Sequence, residues 1–163
     1  MIEHPELQRL MSILVVDDSE DNRMLLEAIL DSAGYGCIYL AESAAEAYEY
    51  IGLVDSPKNS TVDLILMDVM MPEVDDITAI REIRAQTKFQ DIPILVQTAK
   101  NQTRDLVAAF EAGAVDYLTK PINENELLVR VKSLLRLKAE TDHRKFHEAE
   151  LQKLASQLEE KNQ

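Results

Sequence analysis

The sequence predicts an α/β protein, a doubly wound, five-stranded parallel sheet with an extended C-terminal helix. Five short runs of apolar, mostly branched residues alternate along the 163-residue chain with segments whose apolar residues recur at helical spacing. Parallel strands need long crossovers, and right-handed crossovers place helices on the faces of the sheet. The alternation therefore indicates a parallel sheet covered by helices. The predicted strands span residues 13–16, 37–40, 62–67, 92–96 and 115–119.

Local signals mark the helices between these strands. After the first strand, Leu25, Ala28 and Ile29 lie at helical spacing, and Gly34 is the expected stop. Residues 43–46 read Ser-Ala-Ala-Glu, a capping box that predicts a helix start. Three further helices are predicted from apolar residues that share a face, namely Ile77, Ile80 and Ile83, then Leu106, Ala109 and Phe110, then Leu127, Val131 and Leu134.

The chain divides into three segments. Residues 1–11 have mixed polarity and form an N-terminal extension, and residues 12–137 carry the alternating pattern of the main domain. Residues 138–163 hold five basic and six acidic residues with no glycine or proline, which is typical of a long solvated helix. The tail leucines, Leu151, Leu154 and Leu158, have coiled-coil spacing that residues 138–150 do not continue. A dimerising helix and a solvated helical linker both remain open.

Composition excludes several classes of protein. The net charge of −13 argues against a dedicated nucleic-acid surface, since phosphate binding relies on clustered lysine and arginine. No apolar run approaches the roughly 18 residues that a membrane span requires, and no signal-peptide pattern is present. We therefore expect a cytoplasmic protein. The single cysteine, Cys37, lies in an apolar stretch and is expected to be a buried, inert thiol.

Carboxylates follow two of the predicted strands. The first strand ends on Asp17 and Asp18, and the third ends on Asp68. Ligand sites of open parallel sheets lie just outside the carboxyl ends of the strands, so these side chains should meet in one crevice. Two such charges about 4 Å apart repel by roughly 4 kcal/mol at an effective dielectric of ~20, so a cation or a proton is needed. An all-oxygen site of this kind suits Mg²⁺.

Four motifs lie at the ends of predicted strands. They are Val15-Val16-Asp17-Asp18-Ser19, Leu66-Met67-Asp68-Val69-Met70-Met71-Pro72, Val96-Gln97-Thr98-Ala99 and Tyr117-Leu118-Thr119-Lys120-Pro121. Together they resemble the motifs of the receiver domains of two-component (phosphorelay) response regulators. The resemblance covers about residues 12–137 and implies the flavodoxin-like receiver fold. Their order and their placement at strand ends make the combination specific, although each motif alone is common.

The resemblance implies a phosphoacceptor switch that catalyses only its own phosphorylation and dephosphorylation. Asp68 would accept a phosphoryl group from a phosphohistidine on a sensor histidine kinase or phosphotransfer protein. Asp17 and Asp18 would hold Mg²⁺, with Mn²⁺ as an alternative ion, together with Asp68 and the backbone carbonyl of Met70. Lys120 would supply a positive charge for the phosphoryl group.

The resemblance also assigns structural and switching roles. Pro121 is expected to follow a cis peptide bond that aims the preceding lysine into the site. Thr98 would donate its hydroxyl to a phosphoryl oxygen, and Tyr117 would swing inward as the threonine moves. These two residues form the expected switch.

Some positions depart from the family pattern. Glycine is common two residues before Thr78, where this chain has Asp76, and a positive φ there would strain the backbone. Met70 and Lys100 resemble positions that control access of water to the acyl phosphate, and their bulk is expected to restrict it.

Two points stay open from the sequence, namely how the predicted switch passes on its signal and whether the chain catalyses a different reaction. We expect the C-terminal helix to signal to an effector domain outside this chain or by homodimerisation, without direct contact to nucleic acid or membrane. The alternative is a Mg²⁺-dependent aspartyl-phosphate phosphohydrolase of the haloacid-dehalogenase type, although those enzymes carry the nucleophile on the first strand. His143 and His147 are four residues apart, yet no third metal ligand is evident, so a solvated helix face is expected.

Overall fold

The computed structural model describes residues 5–52, 61–69, 76–99 and 103–162. Its centre is a five-stranded, fully parallel sheet with strand order β2-β1-β3-β4-β5. The strands are β1 Ser12–Val16, β2 Cys37–Ala41, β3 Leu64–Asp68, β4 Ile94–Ala99 and β5 Asp116–Lys120. The predicted fold class is confirmed, and the strand limits differ from the predicted ones by at most three residues.

Helices connect the strands and cover both faces of the sheet. They are α1 Pro5–Leu10, α2 Glu20–Ser32, α3 Ala44–Ile51, α4 Asp76–Ala85, α5 Thr103–Ala112 and α6 Glu124–Lys161, with a short 3₁₀ turn at Thr87–Phe89. The first of these was not predicted, because six residues are too few to show a helical period in the sequence.

The core forms two layers, one on each face of the sheet. Leu14 and Ile65 point to the layer completed by α3, α4 and α5. Their neighbours Val15 and Leu66 point to the opposite layer, which α2 and α6 complete. Side chains alternate between faces along a strand, so a run that is apolar at every position is buried on both sides. All five residues of β1 and of β3 are buried.

The predicted helix ends are largely confirmed. The Ser43 hydroxyl accepts a hydrogen bond from the Glu46 N–H at 3.2 Å, as the capping box requires. Gly34 follows α2 with a φ of +101°, a conformation that side chains with a Cβ rarely adopt. The N–H of Tyr35 then reaches back to the Leu30 carbonyl at 3.1 Å, which closes the helix.

Two local expectations were wrong, and the condition for backbone strain at a third position is not met. Cys37 is half-buried rather than buried, because it opens the edge strand β2. Phe110 is 40% exposed, because the core-facing side of α5 is occupied by Ala109 and Ala112. Asp76 has no positive φ, since it begins α4, so the backbone strain considered for it is absent.

The last helix continues without interruption from the sheet into the tail. At about 1.5 Å per residue, its 38 residues span nearly 57 Å. Lys138, which is buried, pairs with Asp142 on the same helix at 2.6 Å and with Asp63 beside β3 at 3.6 Å. Farther along, Lys145 pairs with Asp91. These contacts fasten the middle of α6 to the amino-terminal edge of the sheet.

The tail beyond these contacts is exposed. Its three leucines at coiled-coil spacing, Leu151, Leu154 and Leu158, are all exposed. Across the described ranges, no helix is both long enough and apolar enough to cross a membrane.

Candidate functional site

Three carboxylates meet at the carboxyl-terminal edge of the sheet. β1 and β3 are neighbours, with Val16 opposite Met67, so the residues that follow them, Asp17 and Asp68, come side by side. One carboxylate oxygen from each of Asp17, Asp18 and Asp68 lies within 4.8 Å of the others. Asp17 is 0% and Asp68 2% exposed, whereas Asp18 faces solvent. The structure thus brings together the three carboxylates that the sequence placed at this edge.

The surroundings of the buried Asp17 carboxylate disfavour its ionised form. Burial raises its pKa from 3.8 to about 6, and repulsion from Asp68 acts in the same direction. The Ser19 N–H, which donates to Asp17 Oδ1 at 2.9 Å, and the nearby Lys120 ammonium both oppose this rise. The other oxygen, Asp17 Oδ2, is buried and has no hydrogen-bond partner among the described residues. A cation would satisfy this oxygen.

The donor set fits a hard divalent ion. Carboxylate oxygens on two buried residues and one exposed residue leave room for water and phosphate oxygens, as Mg²⁺ prefers. Among the residues that the structure describes, Asp17, Asp18 and Asp68 are the only acidic, histidine or cysteine side chains grouped closely enough for three to share an ion. The rings of His143 and His147 stack 6.4 Å apart on α6, away from this group.

Lys120 supplies the positive charge of the site. Its Nζ lies 3.0 Å from Asp68 Oδ2 and 3.9 Å from Asp17 Oδ2. Because β4 separates β5 from β3, the lysine side chain reaches across one strand to make this pair. The Lys120–Pro121 peptide bond is cis, as the family resemblance implied.

The two expected switch residues lie in different surroundings. Thr98 is buried on β4, and its hydroxyl donates to its neighbour's carbonyl, Ala99 O, at 3.3 Å. Tyr117 lies on the outer surface of β5. Its ring packs edge-on against Phe110 with centroids 6.1 Å apart, and the Arg130 guanidinium lies 5.9 Å from the ring centroid. In this state the tyrosine is directed away from the carboxylates.

For several residues around the site, no role was predicted from the sequence. Arg23 donates to the Asp17 carbonyl at 2.7 Å and so fixes the loop that carries the carboxylates. Arg130 forms two hydrogen bonds with Asp116, at 2.7 and 2.9 Å, beside Tyr117. Gln97 is a buried amide on β4, and a polar residue inside an apolar run was the signal that could have found it.

Some expectations fall outside the described residues. These include the carbonyl of Met70 as a metal ligand and the water-restricting roles of Met70 and Lys100.

A cleft of about 480 Å³ lies at the opposite, amino-terminal edge of the sheet, lined by residues that include Lys88, Asp91 and Lys138. It is remote from the carboxylates and has no part in their chemistry.

Comparison with known proteins decides the family. The family model described as the response regulator receiver domain matches residues 13–132, which include the whole sheet and all three carboxylates. The chain belongs to the response regulator receiver family. It is therefore a receiver domain of two-component signalling, a phosphoacceptor switch rather than a turnover enzyme.

Individual relatives agree with this assignment. The chain is 40% identical over 124 residues to the response regulator MprA of a Mycobacterium species, covering 76% of this chain and 50% of the relative. It is 38% identical over 143 residues to the response regulator PleD of Caulobacter vibrioides, covering 84% of this chain and 29% of that protein. The chain thus spans half of the first relative's length and less than a third of the second.

A solved structure gives the same answer for the fold. A two-component response regulator from Clostridium difficile superposes with a TM-score of 0.67 at 30% identity, over 77% of this chain and 96% of the other. Receiver membership implies a cognate histidine kinase. It also favours the receiver interpretation over the haloacid-dehalogenase alternative, whose nucleophile would lie on the first strand.

Proposed function

We propose that this receiver domain is phosphorylated on Asp68 by a phosphohistidine of a sensor histidine kinase or phosphotransfer protein, in a Mg²⁺-dependent reaction. One observation carries the proposal. The Asp68 carboxylate is nearly fully buried, lies against two further carboxylates and pairs with the Lys120 ammonium at 3.0 Å. Among the three carboxylates, Asp68 is the one that accepts a hydrogen bond from Lys120, whose Nζ lies farther, 3.9 Å, from Asp17 Oδ2.

Asp17, Asp18 and Asp68 would hold Mg²⁺, with Mn²⁺ as an alternative and the Met70 carbonyl as a further ligand. When bound, the ion offsets the negative charge of the carboxylates and of the phosphoryl oxygens. Asp17 supports this assignment because its buried Oδ2 has no hydrogen-bond partner among the described residues. The raised pKa of Asp17 adds to the argument, since a cation would relieve the repulsion that contributes to it.

Three residues have distinct roles in the proposed phosphoryl transfer. An oxygen of Asp68 attacks phosphorus, a P–O bond forms, and the P–N bond to the donor imidazole breaks with its electron pair left on the ring nitrogen. The Lys120 ammonium then moves from the Asp68 carboxylate to the phosphoryl oxygens, where the negative charge now lies. The flexible lysine side chain permits this movement. The Thr98 hydroxyl, now bonded to Ala99 O, is free to turn and donate to a phosphoryl oxygen.

The proposed switch couples this chemistry to the outer surface. As Thr98 turns toward the phosphoryl group, Tyr117 leaves its packing against Phe110 and Arg130 and moves inward. Because Arg130 lies on α6, the same movement alters the surroundings of the helix that leads to the tail.

The output is proposed to pass through α6. We take residues 1–11 as an extension, 12–137 as the receiver and 138–163 as the tail. The tail either meets its counterpart in a second copy or connects to an effector domain outside residues 1–163. The exposed leucines of the tail support self-association, and we propose that phosphorylation strengthens it.

A small phosphodonor tests the proposed reaction. Acetyl phosphate with Mg²⁺ should add one phosphoryl group to the wild-type chain, as seen by intact-mass spectrometry, and a chelator should prevent it. Asp68→Asn should remain unmodified. Phosphate release from a small phosphomonoester that survives Asp68→Asn would instead support the phosphohydrolase alternative.

A further inference from the structure

Gln97 occupies the strand between the two partners of the central ion pair. On β4 it lies opposite Asp68 of β3 and opposite Leu118 of β5. Side chains two residues apart on a strand share a face of the sheet, so Asp68, Gln97 and Lys120 share one. Each of them comes two residues after a leucine of the same core layer, namely Leu66, Leu95 and Leu118.

The ion pair crosses the strand on which Gln97 lies. Strands β3 and β5 are about 10 Å apart, twice the usual spacing between neighbouring strands. Lys120 Nζ nevertheless comes within 3.0 Å of Asp68 Oδ2. Both side chains must therefore extend over β4 on the face that carries Gln97. Gln97 therefore lies on the strand, and on the face of the sheet, that this contact between nucleophile and ammonium crosses.

The amide itself is buried and unsatisfied. Gln97 is 1% exposed, and neither Nε2 nor Oε1 has a hydrogen-bond partner among the described residues. Burying an unpaired amide costs free energy that a leucine or valine in the same strand would not. In the unphosphorylated state nothing offsets this cost, because Asp68 Oδ2 already accepts a hydrogen bond from Lys120.

We propose that Gln97 is a positioning residue for phosphoryl transfer, an inference that rests on the proposed phosphorylation of Asp68. When the acyl phosphate forms, one Asp68 oxygen bonds to phosphorus and the other remains a carbonyl oxygen. Lys120 moves toward the phosphoryl oxygens. Gln97 Nε2 then donates to the carbonyl oxygen of Asp68, and Gln97 Oε1 accepts a hydrogen bond from the Lys120 ammonium. The amide thus gains both partners as the phosphoryl group is transferred, and keeps them in the phosphorylated state.

Rates of phosphorylation test the proposal. Gln97→Leu should slow phosphorylation by acetyl phosphate at fixed Mg²⁺ by roughly tenfold, the usual effect of losing a hydrogen bond to a charged group. Gln97→Met, which keeps the length of the side chain without its amide, should be slowed to the same degree. The matched control is Leu95→Met, two residues earlier on the same face, which changes core packing and should alter the rate by less than about twofold.

A direct measurement separates positioning from mere packing. The side-chain amide of Gln97, assigned through bonds from its backbone, should shift in ¹H–¹⁵N spectra and exchange more slowly with solvent when beryllofluoride and Mg²⁺ are added to the wild type. This measurement does not depend on a variant that folds. An unchanged amide signal, or wild-type rates in both Gln97 variants, would overturn the proposal.

The outcomes also distinguish this inference from the proposed function. If the wild type accepts a phosphoryl group and Asp68→Asn does not, while the Gln97 variants behave as wild type, only the role of Gln97 is refuted. If the wild type is never modified, the proposed function itself fails.

Discussion

Replacing Asp17 by asparagine should stabilise the metal-free protein at neutral pH. The carboxylate is 0% exposed, and its burial, with added repulsion from Asp68, raises its pKa from 3.8 to about 6. Asparagine is neutral and keeps a side-chain oxygen that can accept the hydrogen bond from the Ser19 N–H, now 2.9 Å long. The substitution therefore removes the charge while preserving the local hydrogen bond.

The magnitude follows from the pKa of Asp17. One pKa unit corresponds to about 1.4 kcal/mol, so a pKa near 6 in the folded state means that ionisation costs roughly 3 kcal/mol of folding free energy. Between about pH 4 and 6 the folded protein holds a proton that the unfolded chain has lost. Wild-type stability should therefore fall as the pH rises through this window, and the advantage of Asp17→Asn should grow from small near pH 4 to about 3 kcal/mol above pH 6.

Urea unfolding in the presence of a chelator measures this effect across the pH range. Adding Mg²⁺ should then reverse the order of stability, because ligand binding stabilises only the folded protein that can bind the ion. Asp18→Asn is the matched control: its carboxylate is exposed, so it should change metal-free stability little while still weakening the response to Mg²⁺. An Asp17→Asn protein that is less stable than wild type without metal at pH 7, or an advantage independent of pH, would show that the buried charge of Asp17 does not destabilise the fold.

Three further predictions follow from single contacts. Lys120→Met removes the 3.0 Å pair with Asp68 and should slow phosphorylation by acetyl phosphate at least roughly tenfold, as followed by intact-mass spectrometry; an unchanged rate would exclude a role for the ammonium. Asp63→Ala removes the acceptor of the buried Ser12 N–H, 2.9 Å away, and should lower the free energy of unfolding by about 2 kcal/mol in urea; no loss would mean that the bond is replaced. Leu154→Asp should abolish any self-association that beryllofluoride induces, as measured by sedimentation; dimers that persist would place the interface elsewhere.

The sheet and its acidic edge could be predicted because both depend on short-range patterns. A strand buried on both faces is apolar at every position, and a parallel sheet gathers the carboxyl ends of its strands at one edge. The proximity of Asp17 and Asp68 could therefore be predicted from local sequence patterns alone. The family motifs then pointed to Lys120 and to the cis peptide before Pro121.

Other features depend on contacts between distant residues, which no local pattern encodes. The outward packing of Tyr117 depends on Phe110 and on Arg130, a residue thirteen positions later. The position of the unsatisfied Gln97 amide can be recognised only once β4 is known to lie between β3 and β5, which carry the two partners of the ion pair. The half-buried state of Cys37 follows from the position of β2 at the edge of the sheet, which depends on strand order rather than composition.

Locating the acyl phosphate in the wild-type chain tests most directly whether Asp68 is the phosphoacceptor. After reaction with acetyl phosphate and Mg²⁺, borohydride reduction converts a phosphorylated aspartate to homoserine, which peptide mass spectrometry can place. We expect homoserine at Asp68 alone, and none when Mg²⁺ is chelated. Homoserine at Asp17 or Asp18, or a phosphoryl group retained elsewhere in the chain, would contradict the assignment of Asp68 as the acceptor.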